Sequence, residues 1–125
     1  MQTIVLIMQR TSVAQGLLAL LRKEHDVELY HEDDYNHANA AIRVYRAHSV
    51  LIEVSENGEC NADYCLSICD NIKKEMPNCK VLLMCPEKNK KCIGQVVAAK
   101  QSGRIDNFVF YDASLRYLSS MLLLE

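Results

Sequence analysis

Short aliphatic runs alternate with amphipathic stretches along the whole chain. The aliphatic runs predict five strands, at about residues 3–8, 26–30, 49–54, 80–85 and 105–111. Apolar residues recur at intervals of three and four in the segments that follow them, which predicts five helices, at about 11–23, 34–46, 62–76, 91–101 and 114–124. Pro77 marks the end of the third helix, and Gly103 the end of the fourth. The chain is therefore predicted to consist of five consecutive β–α units.

The first, third and fourth of these strands are continuous aliphatic runs, as is typical of central parallel strands covered by helices on both faces. The alternation predicts a flavodoxin-like α/β fold, with a doubly wound, parallel, five-stranded sheet in three α/β/α layers. At 125 residues, the chain has the length of one domain, and we expect residues 1–125 to form a single unit.

The spacing of apolar residues also assigns an inward face to each helix. On the third helix this face carries Cys65, Ile68, Cys69 and Ile72. On the last helix it carries Leu115, Leu118 and Leu122, which leaves Tyr117 and Met121 outside it.

The amino-acid composition limits the classes of function that the chain could have. Half of the residues are hydrophobic and 24% are charged, which argues against disorder. The net charge of -2 gives no basic field for binding nucleic acid. The apolar run Ile4–Met8 is too short for a signal peptide or a membrane span, so we expect a soluble cytoplasmic protein with no membrane partner.

The six cysteines, at 60, 65, 69, 79, 85 and 92, show no CxxC pair and no zinc-binding spacing. We expect them to be free thiols that pack as small hydrophobic residues, and we expect no metal or other cofactor. The histidines at 25, 31, 37 and 48 are interpreted as surface residues.

In a doubly wound sheet, ligands bind beyond the carboxyl ends of the strands. The residues at these ends are Met8, Gln9, Glu53, Cys85 and Tyr111. Glu53 stands out, because it places a carboxylate at the end of the buried run VLIEV.

Three segments of the chain match a known family in their order and position. They are IVLIMQ, LSICDNIKKEMPNCKVLLMCPEK and GRIDNFVFYD. With the length and the element order, they make the chain resemble the receiver domains of two-component response regulators. The resemblance implies an acidic pair after strand 1 that binds Mg²⁺, and an aspartate ending strand 3 that accepts a phosphoryl group. It also implies a Thr or Ser ending strand 4 and a Lys ending strand 5, which contact the phosphoryl oxygens.

This chain departs from the family pattern at every one of those positions. Met8 and Gln9 stand in place of the acidic pair, and Glu53 in place of the aspartate. Cys85 replaces the strand-4 hydroxyl, and Tyr111 replaces the lysine. A thioether and an amide do not replace two carboxylates for Mg²⁺, and a phenol supplies no fixed positive charge. The resemblance is therefore to a degenerate pseudo-receiver.

Three interpretations of Glu53 stay open. It is a partly solvated structural carboxylate bound to loop amides or to Arg10, a constitutive mimic of a phosphorylated aspartate, or an acid with its own chemistry. A register shifted by one residue would put Val54 at the phosphoacceptor position. Two interpretations also remain for Cys85: a small residue that fills the volume of Thr, or an exposed redox thiol whose pKa lysines 88, 90 and 91 lower.

Aromatic residues provide the interface candidates. Phe108 matches the family's aromatic switch position, three residues before Tyr111, and with Phe110 these side chains are candidates for a docking surface. Tyr117 and Met121 are predicted to form an exposed pair on the last helix. The resemblance implies association through the face made by helix 4, strand 5 and helix 5.

The sequence thus predicts a non-catalytic, receiver-like signalling module that acts by protein–protein interaction or dimerisation. The alternative is a receiver domain that accepts a phosphoryl group on Glu53 or a neighbouring residue. This alternative includes the case in which the chain is the N-terminal part of a DNA-binding regulator. Nucleic acid would then be bound only by a separate output domain. A flavodoxin-like cofactor binder is disfavoured, because the loop QRTSVAQG lacks the Gly- and Ser/Thr-dense cradle that a phosphate requires.

Overall fold

The chain folds as a parallel five-stranded sheet with helices on both faces. The computed structural model describes residues 2–24, 26–55 and 61–123. The elements are β1 (Gln2–Ile7), α1 (Thr11–Glu24), β2 (Val27–Glu32), a 3₁₀ turn (Tyr35–His37), α2 (Ala38–Tyr45), β3 (Ser49–Glu53), α3 (Ala62–Glu75), β4 (Lys80–Cys85), α4 (Lys90–Gln101), β5 (Asn107–Phe110) and α5 (Leu115–Leu122). The strand order is β2-β1-β3-β4-β5, which confirms the predicted fold class.

Side-chain caps set the starts of three helices. Asn61, Asn89 and Ser114 each accept a hydrogen bond from the backbone amide three residues later, and so satisfy amides that the first helical turn leaves without partners. The second helix differs from its prediction. Asp34 caps a 3₁₀ turn instead, accepting from the amide of Asn36 at 3.0 Å, and α2 begins only at Ala38.

The alternation of side chains along the strands divides the interior into two layers. Val5, Ile7, Val50, Ile52 and Leu83 face α2, α3 and α4, in what we call the α2–α4 core. Neighbouring strand residues such as Ile4, Leu6, Leu51 and Leu82 face the other way, onto α1 and α5, in the α1/α5 core. Among the described residues, no helix is long and apolar enough to cross a membrane.

The predicted inward faces are partly correct. Cys65, Ile68, Cys69 and Ile72 are buried, as are Leu118 and Leu122. Leu115 was expected inside but is 38% exposed. It lies over Gly16 of α1, where a Cβ atom would sit 3.0 Å from a Leu115 methyl carbon, so the first turn of α5 rests on the surface of α1.

The end of α5 is fixed to the amino-terminal ends of two strands. The carbonyl oxygen of Leu122 accepts from Nε2 of Gln2 at 2.8 Å and from Oγ of Ser49 at 2.7 Å. Ser49 is fully buried, and a hydroxyl in that position requires a partner. We call this contact the α5 anchor.

Candidate functional site

The strand order reverses between β1 and β3, and the fold brings together the residues that follow these strands. Glu53 ends β3, Arg10 lies in the β1–α1 loop, and Tyr111 follows β5. Their side chains meet above the carboxyl edge of the sheet. In open α/β sheets this edge is where ligands bind, so it is the candidate functional site.

The Glu53 carboxylate is fully engaged by one loop. Its Oε1 accepts from the backbone amides of Gln9 at 2.8 Å and Arg10 at 3.1 Å. Its Oε2 accepts from Nε of Arg10. The pairing expected with Arg10 is therefore present, but the expected partial solvation is wrong, because Glu53 is only 3% exposed beneath the loop. A carboxylate so buried is tolerated because it is paired and hydrogen-bonded.

The Arg10 guanidinium makes two further contacts. Its Nη2 lies 3.2 Å from the sulfur of Met84, and its central carbon lies 4.0 Å from the centroid of the Tyr111 ring. The second contact is a cation–π interaction. Sequence reasoning placed Arg10 near Glu53 but missed Met84, whose position follows from the pairing of β3 with β4.

Tyr111 and Tyr35 fix the end of β3 through its main chain. The Tyr111 hydroxyl donates to the carbonyl oxygen of Val54, and the Tyr35 hydroxyl donates to that of Glu53. The Cys65 thiol lies 3.8 Å from the same Glu53 oxygen. These donors are neutral, so Tyr111, which stands where the family pattern has a lysine, adds no positive charge.

Met8 and Gln9, at the family's metal position, point in different directions. Met8 is fully buried in the α1/α5 core, and its carbonyl oxygen is bonded to Nε2 of His31 at 2.8 Å. The side chain of Gln9 is exposed. Neither side chain supplies a carboxylate.

The residues at this edge do not fit the Mg²⁺ ion that the resemblance implies. Mg²⁺ requires several oxygen ligands in octahedral geometry. Glu53 supplies the carboxylate among the site residues described above, and this carboxylate is already paired with the Arg10 cation. Within the described ranges, no group of three or more His, Cys, Asp or Glu residues could hold a metal ion.

Cys85 is fully buried, so the exposed thiol considered from the sequence is wrong. Cys92, in the first turn of α4, is buried in the same α2–α4 core. The neighbouring Cys92 side chain and burial raise the pKa of Cys85, whereas the Cys85 side chain lowers the pKa of Cys92. The lysines at 88, 90 and 91 are exposed, and the charge that acts on the pKa of Cys85 is that of Glu87, which raises it.

The three aromatic residues of the β5 region lie on two faces of the sheet. Phe108 and Phe110 pack edge to face at 5.8 Å against the α2–α4 core. Tyr111 packs on the opposite side, against the α1/α5 core. The three side chains therefore do not form a single docking surface, because the alternation of strand residues divides them between two faces. The Lys100 ammonium lies 6.0 Å above the Phe108 ring, at the surface.

The two candidates on α5 also differ. Tyr117 is 52% exposed, whereas Met121 is half-buried and packs against the α1/α5 core. Tyr117 therefore projects from the helix, and Met121 does not form an equally exposed pair with it.

A pocket of about 180 Å³, which sequence reasoning missed, opens between the first turns of α3 and α4. Cys92 and Lys91 line it on α4, and Ser55 lines it from the end of β3. A hydrogen bond of 2.6 Å from Nε2 of Gln95 to Asp63 joins the two helices across it. Five free cysteines are present in the described part of the chain, and Cys60 lies outside it.

With this geometry, the architecture is that of response-regulator receiver domains, the CheY-like branch of the flavodoxin-like fold. A LuxR-family DNA-binding response regulator from Staphylococcus aureus matches with a TM-score of 0.76 at 18% identity, over 97% of this chain and 95% of that one. A response regulator from Thermotoga maritima matches with a TM-score of 0.74 at 18% identity, over 95% and 92% of the two chains.

The receiver domain of a putative LuxO repressor from Vibrio parahaemolyticus matches with a TM-score of 0.74 at 14% identity, over 95% of this chain and 85% of that one. No protein-family model and no curated protein matches the sequence. The likeness thus lies in the fold.

Proposed function

We propose that this chain is a receiver-like signalling module that acts in the cytoplasm through protein–protein contact and without aspartyl phosphorylation. It has no catalytic role of its own in this proposal. In this proposal, any binding of nucleic acid belongs to a separate output domain.

The proposal rests on one observation: the Arg10 guanidinium forms an ion pair with the Glu53 carboxylate. A phosphoryl acceptor must present a free oxygen to the donor, with a metal ion to offset the charge that develops on the phosphoryl group. Here one oxygen of Glu53 is bound by two backbone amides and the other by a cation. Phosphorylation would require breaking this arrangement in a site where the described residues offer no ligand set for Mg²⁺.

The same contacts support a structural role for Glu53 over mimicry of a phosphorylated aspartate. Its carboxylate turns toward the β1–α1 loop and Arg10. The family's phosphoryl-sensing positions, Cys85 and Tyr111, have other surroundings: Cys85 is fully buried in the α2–α4 core, and the Tyr111 hydroxyl donates to the carbonyl oxygen of Val54. Mimicry would instead use those two positions to read the charge.

Incubation with acetyl phosphate or phosphoramidate and Mg²⁺, followed by intact-mass measurement, tests phosphorylation independence. We expect no adduct of about 80 Da on the chain. A stoichiometric adduct would overturn the proposal in favour of a phosphoryl-accepting receiver. The Glu53→Ala variant then serves as the matched control, because loss of the adduct in it would identify Glu53 as the acceptor.

The proposed contact face is made by α4, β5 and α5. Tyr117 is its exposed aromatic residue, and Phe108 lies beneath Lys100 within it. We propose self-association through this face, measured by light scattering over a concentration series. Tyr117→Ser is expected to weaken the dimer, whereas Tyr45→Ser on α2, where Tyr45 is 42% exposed, serves as the control and leaves it intact. A wild-type chain that stays monomeric at every concentration would exclude the dimer.

A further inference from the structure

Two adjacent hydrophobic side chains project from the outer face of α2. Val44 is 72% exposed, and Tyr45 beside it is also exposed. They border a shallow groove of about 230 Å³ on the surface of the helix, which we call the α2 groove. Its lining consists of Glu32, His37, Ala40, Ala41, Val44 and Tyr45. The exposed apolar side chains are therefore contiguous, which is typical of a surface that binds a partner.

One side of the α2 groove is held in place by a stacked pair of tyrosines. The Tyr45 ring lies parallel to the ring of Tyr30 on β2, with 3.7 Å between the ring centroids and 7° between the planes. Tyr30 in turn packs against the α2–α4 core. Because Tyr45 is already ordered by this contact, a partner that binds it loses little side-chain entropy in doing so.

The segment that forms the α2 groove is acidic. Between positions 26 and 46 there are five acidic residues and two basic ones: Asp26, Glu28, Glu32, Asp33, Asp34, Arg43 and Arg46. This segment therefore has a net charge of -3, whereas the whole chain has a net charge of -2. Arg43 is paired with Glu75 of α3 at 3.1 Å. The negative charge of the protein is thus concentrated around the groove.

Two carboxylates of β2 lie on the groove side of the sheet. Glu32 lines the α2 groove. Glu28 and Glu32 share one face of the strand with Tyr30, because strand side chains alternate. The Tyr30 hydroxyl donates to Oε2 of Glu28 at 3.3 Å, which places this carboxylate at the stacked pair. An apolar groove bordered by carboxylates and an exposed aromatic ring is complementary to an apolar side chain flanked by cations.

We propose that the α2 groove docks a helix of a partner protein that carries lysines or arginines next to its apolar residues. The adjacent small side chains of Ala40 and Ala41 let the backbone of a second helix approach α2 closely. Apolar residues of the partner pack against Val44 and Tyr45, and its cations pair with Glu28 and Glu32. This is the helix-in-groove mode of recognition.

The inference extends the proposed signalling role, because it adds a second protein partner on a separate face. The self-association proposed above uses α4, β5 and α5, whereas the α2 groove is formed by β2, the 3₁₀ turn and α2. Docking in the groove therefore requires neither the dimer nor a phosphoryl group.

The test titrates the nitrogen-15-labelled full chain with a synthetic helical peptide of leucine and lysine and follows the amide signals by NMR. We expect shifts at residues 28–45 and a Kd below about 100 μM, with binding at least about threefold weaker in about 500 mM than in about 50 mM NaCl. The matched control peptide has glutamate in place of every lysine and should cause no shifts. No binding of the lysine peptide, or shifts confined to other residues, would overturn the proposal.

Variants identify the contacts. Glu28→Lys and Val44→Ser change exposed side chains, and each should weaken binding of the lysine peptide at least about fivefold. Glu87→Lys makes the same charge change at an exposed position before α4, and Tyr117→Ser removes an exposed side chain from α5. Both controls should keep the wild-type affinity. Equal weakening by Glu28→Lys and Glu87→Lys would show attraction by net charge alone and would refute docking in the groove.

A second copy of the chain is the other occupant that the NMR experiment distinguishes. Shifts at residues 28–45 that depend on protein concentration in the absence of peptide would show that the α2 groove binds another copy, and would overturn the proposal. Val44→Ser should weaken only the peptide complex, and Tyr117→Ser only the dimer. Failure of one proposal is therefore distinguishable from failure of the other.

Discussion

Arg10 binds both carboxylate oxygens of Glu53, one through its backbone amide and the other through its guanidinium. A single loop residue therefore neutralises a carboxylate that ends the central strand β3. The positive charge beside this carboxylate is thus supplied by a side chain of the protein itself.

Removing this cation should destabilise the fold. The Glu53 side chain is 4% exposed, and Arg10→Met removes its counter-charge, so we expect a loss of about 2–3 kcal/mol in the free energy of unfolding. Arg43→Met is the matched control, because the side chains of Arg43 and Glu75 are 60% and 50% exposed, and it should cost less than about 1 kcal/mol. Urea denaturation measures both, and equal losses would contradict the assigned importance of Arg10.

Replacing both partners should cost less than replacing one. Arg10→Met combined with Glu53→Gln removes the unpaired buried charge, so we expect the double variant to be more stable than Arg10→Met alone. The comparison uses the same urea titration. A double variant that is less stable than Arg10→Met would show that the carboxylate stabilises the strand end independently of its cation.

Two variants of Tyr111 separate its hydroxyl from its ring. Tyr111→Phe removes the donor to the Val54 carbonyl but keeps the ring beneath Arg10, at an expected cost of about 1 kcal/mol. Tyr111→Leu also removes the cation–π contact, for a further loss of about 0.5–1 kcal/mol. Denaturation midpoints measure both steps. A Phe variant as stable as the wild type would mean that the hydroxyl bond contributes nothing.

Helical glycines offer a test of the packing between α1 and α5. Gly94→Ala in α4 meets no atom within 4 Å and should stabilise the fold by about 0.5–1 kcal/mol. Gly16→Ala in α1 would place its Cβ 3.0 Å from a Leu115 methyl carbon and should gain less. Thermal unfolding gives the ranking. Equal gains would show that the exposed Leu115 side chain moves aside freely.

Alkaline pH should destabilise the fold, because a buried thiol of α3, that of Cys69, then loses its proton. Burial, and secondarily Asp70, raise the pKa of Cys69 from 9.0 to about 12. The folded state therefore holds this proton more tightly than the unfolded state, and its stabilising contribution is full below pH 9 and lost as the pH rises toward 12.

The variant Cys69→Ala should consequently lose stability less steeply than the wild type above pH 9, by about 1 kcal/mol per pH unit. The measurement is urea denaturation at pH 9, 9.5, 10 and 10.5. Ile72→Val is the control, because it also trims the α3 core but removes no titratable group, so it should keep the wild-type slope. Parallel slopes for Cys69→Ala and the wild type would contradict the raised pKa.

The fold was predictable because the spacing of apolar residues along the chain identifies its strands and helices. Continuous aliphatic runs identified β1, β3 and β4, and the spacing of Cys65, Ile68, Cys69 and Ile72 identified the buried face of α3. Leu115 shows the limit of this reasoning. It has the correct spacing for the inward face of α5, but the first turn of that helix lies over Gly16, a contact between elements distant in sequence.

The candidate site was predictable in position but only partly in contacts. Parallel strands bring their carboxyl ends to one edge, so the neighbourhood of Glu53 followed from topology alone. Its burial did not, because the depth of the carboxylate depends on how the β1–α1 loop folds over it. The pocket between α3 and α4 also depends on the path of the turn before α4, which no periodic pattern encodes.

The α5 anchor described above has a mechanical consequence. The side chains of Gln2 and Ser49 both donate hydrogen bonds to the Leu122 carbonyl oxygen. The C-terminal end of α5 is therefore fixed to the sheet and can act as a pivot. At the opposite end of α5, Leu115 rests on the surface of α1. A tilt of α5 about its anchored end would therefore move its first turn, and with it Tyr117, further than its last turn.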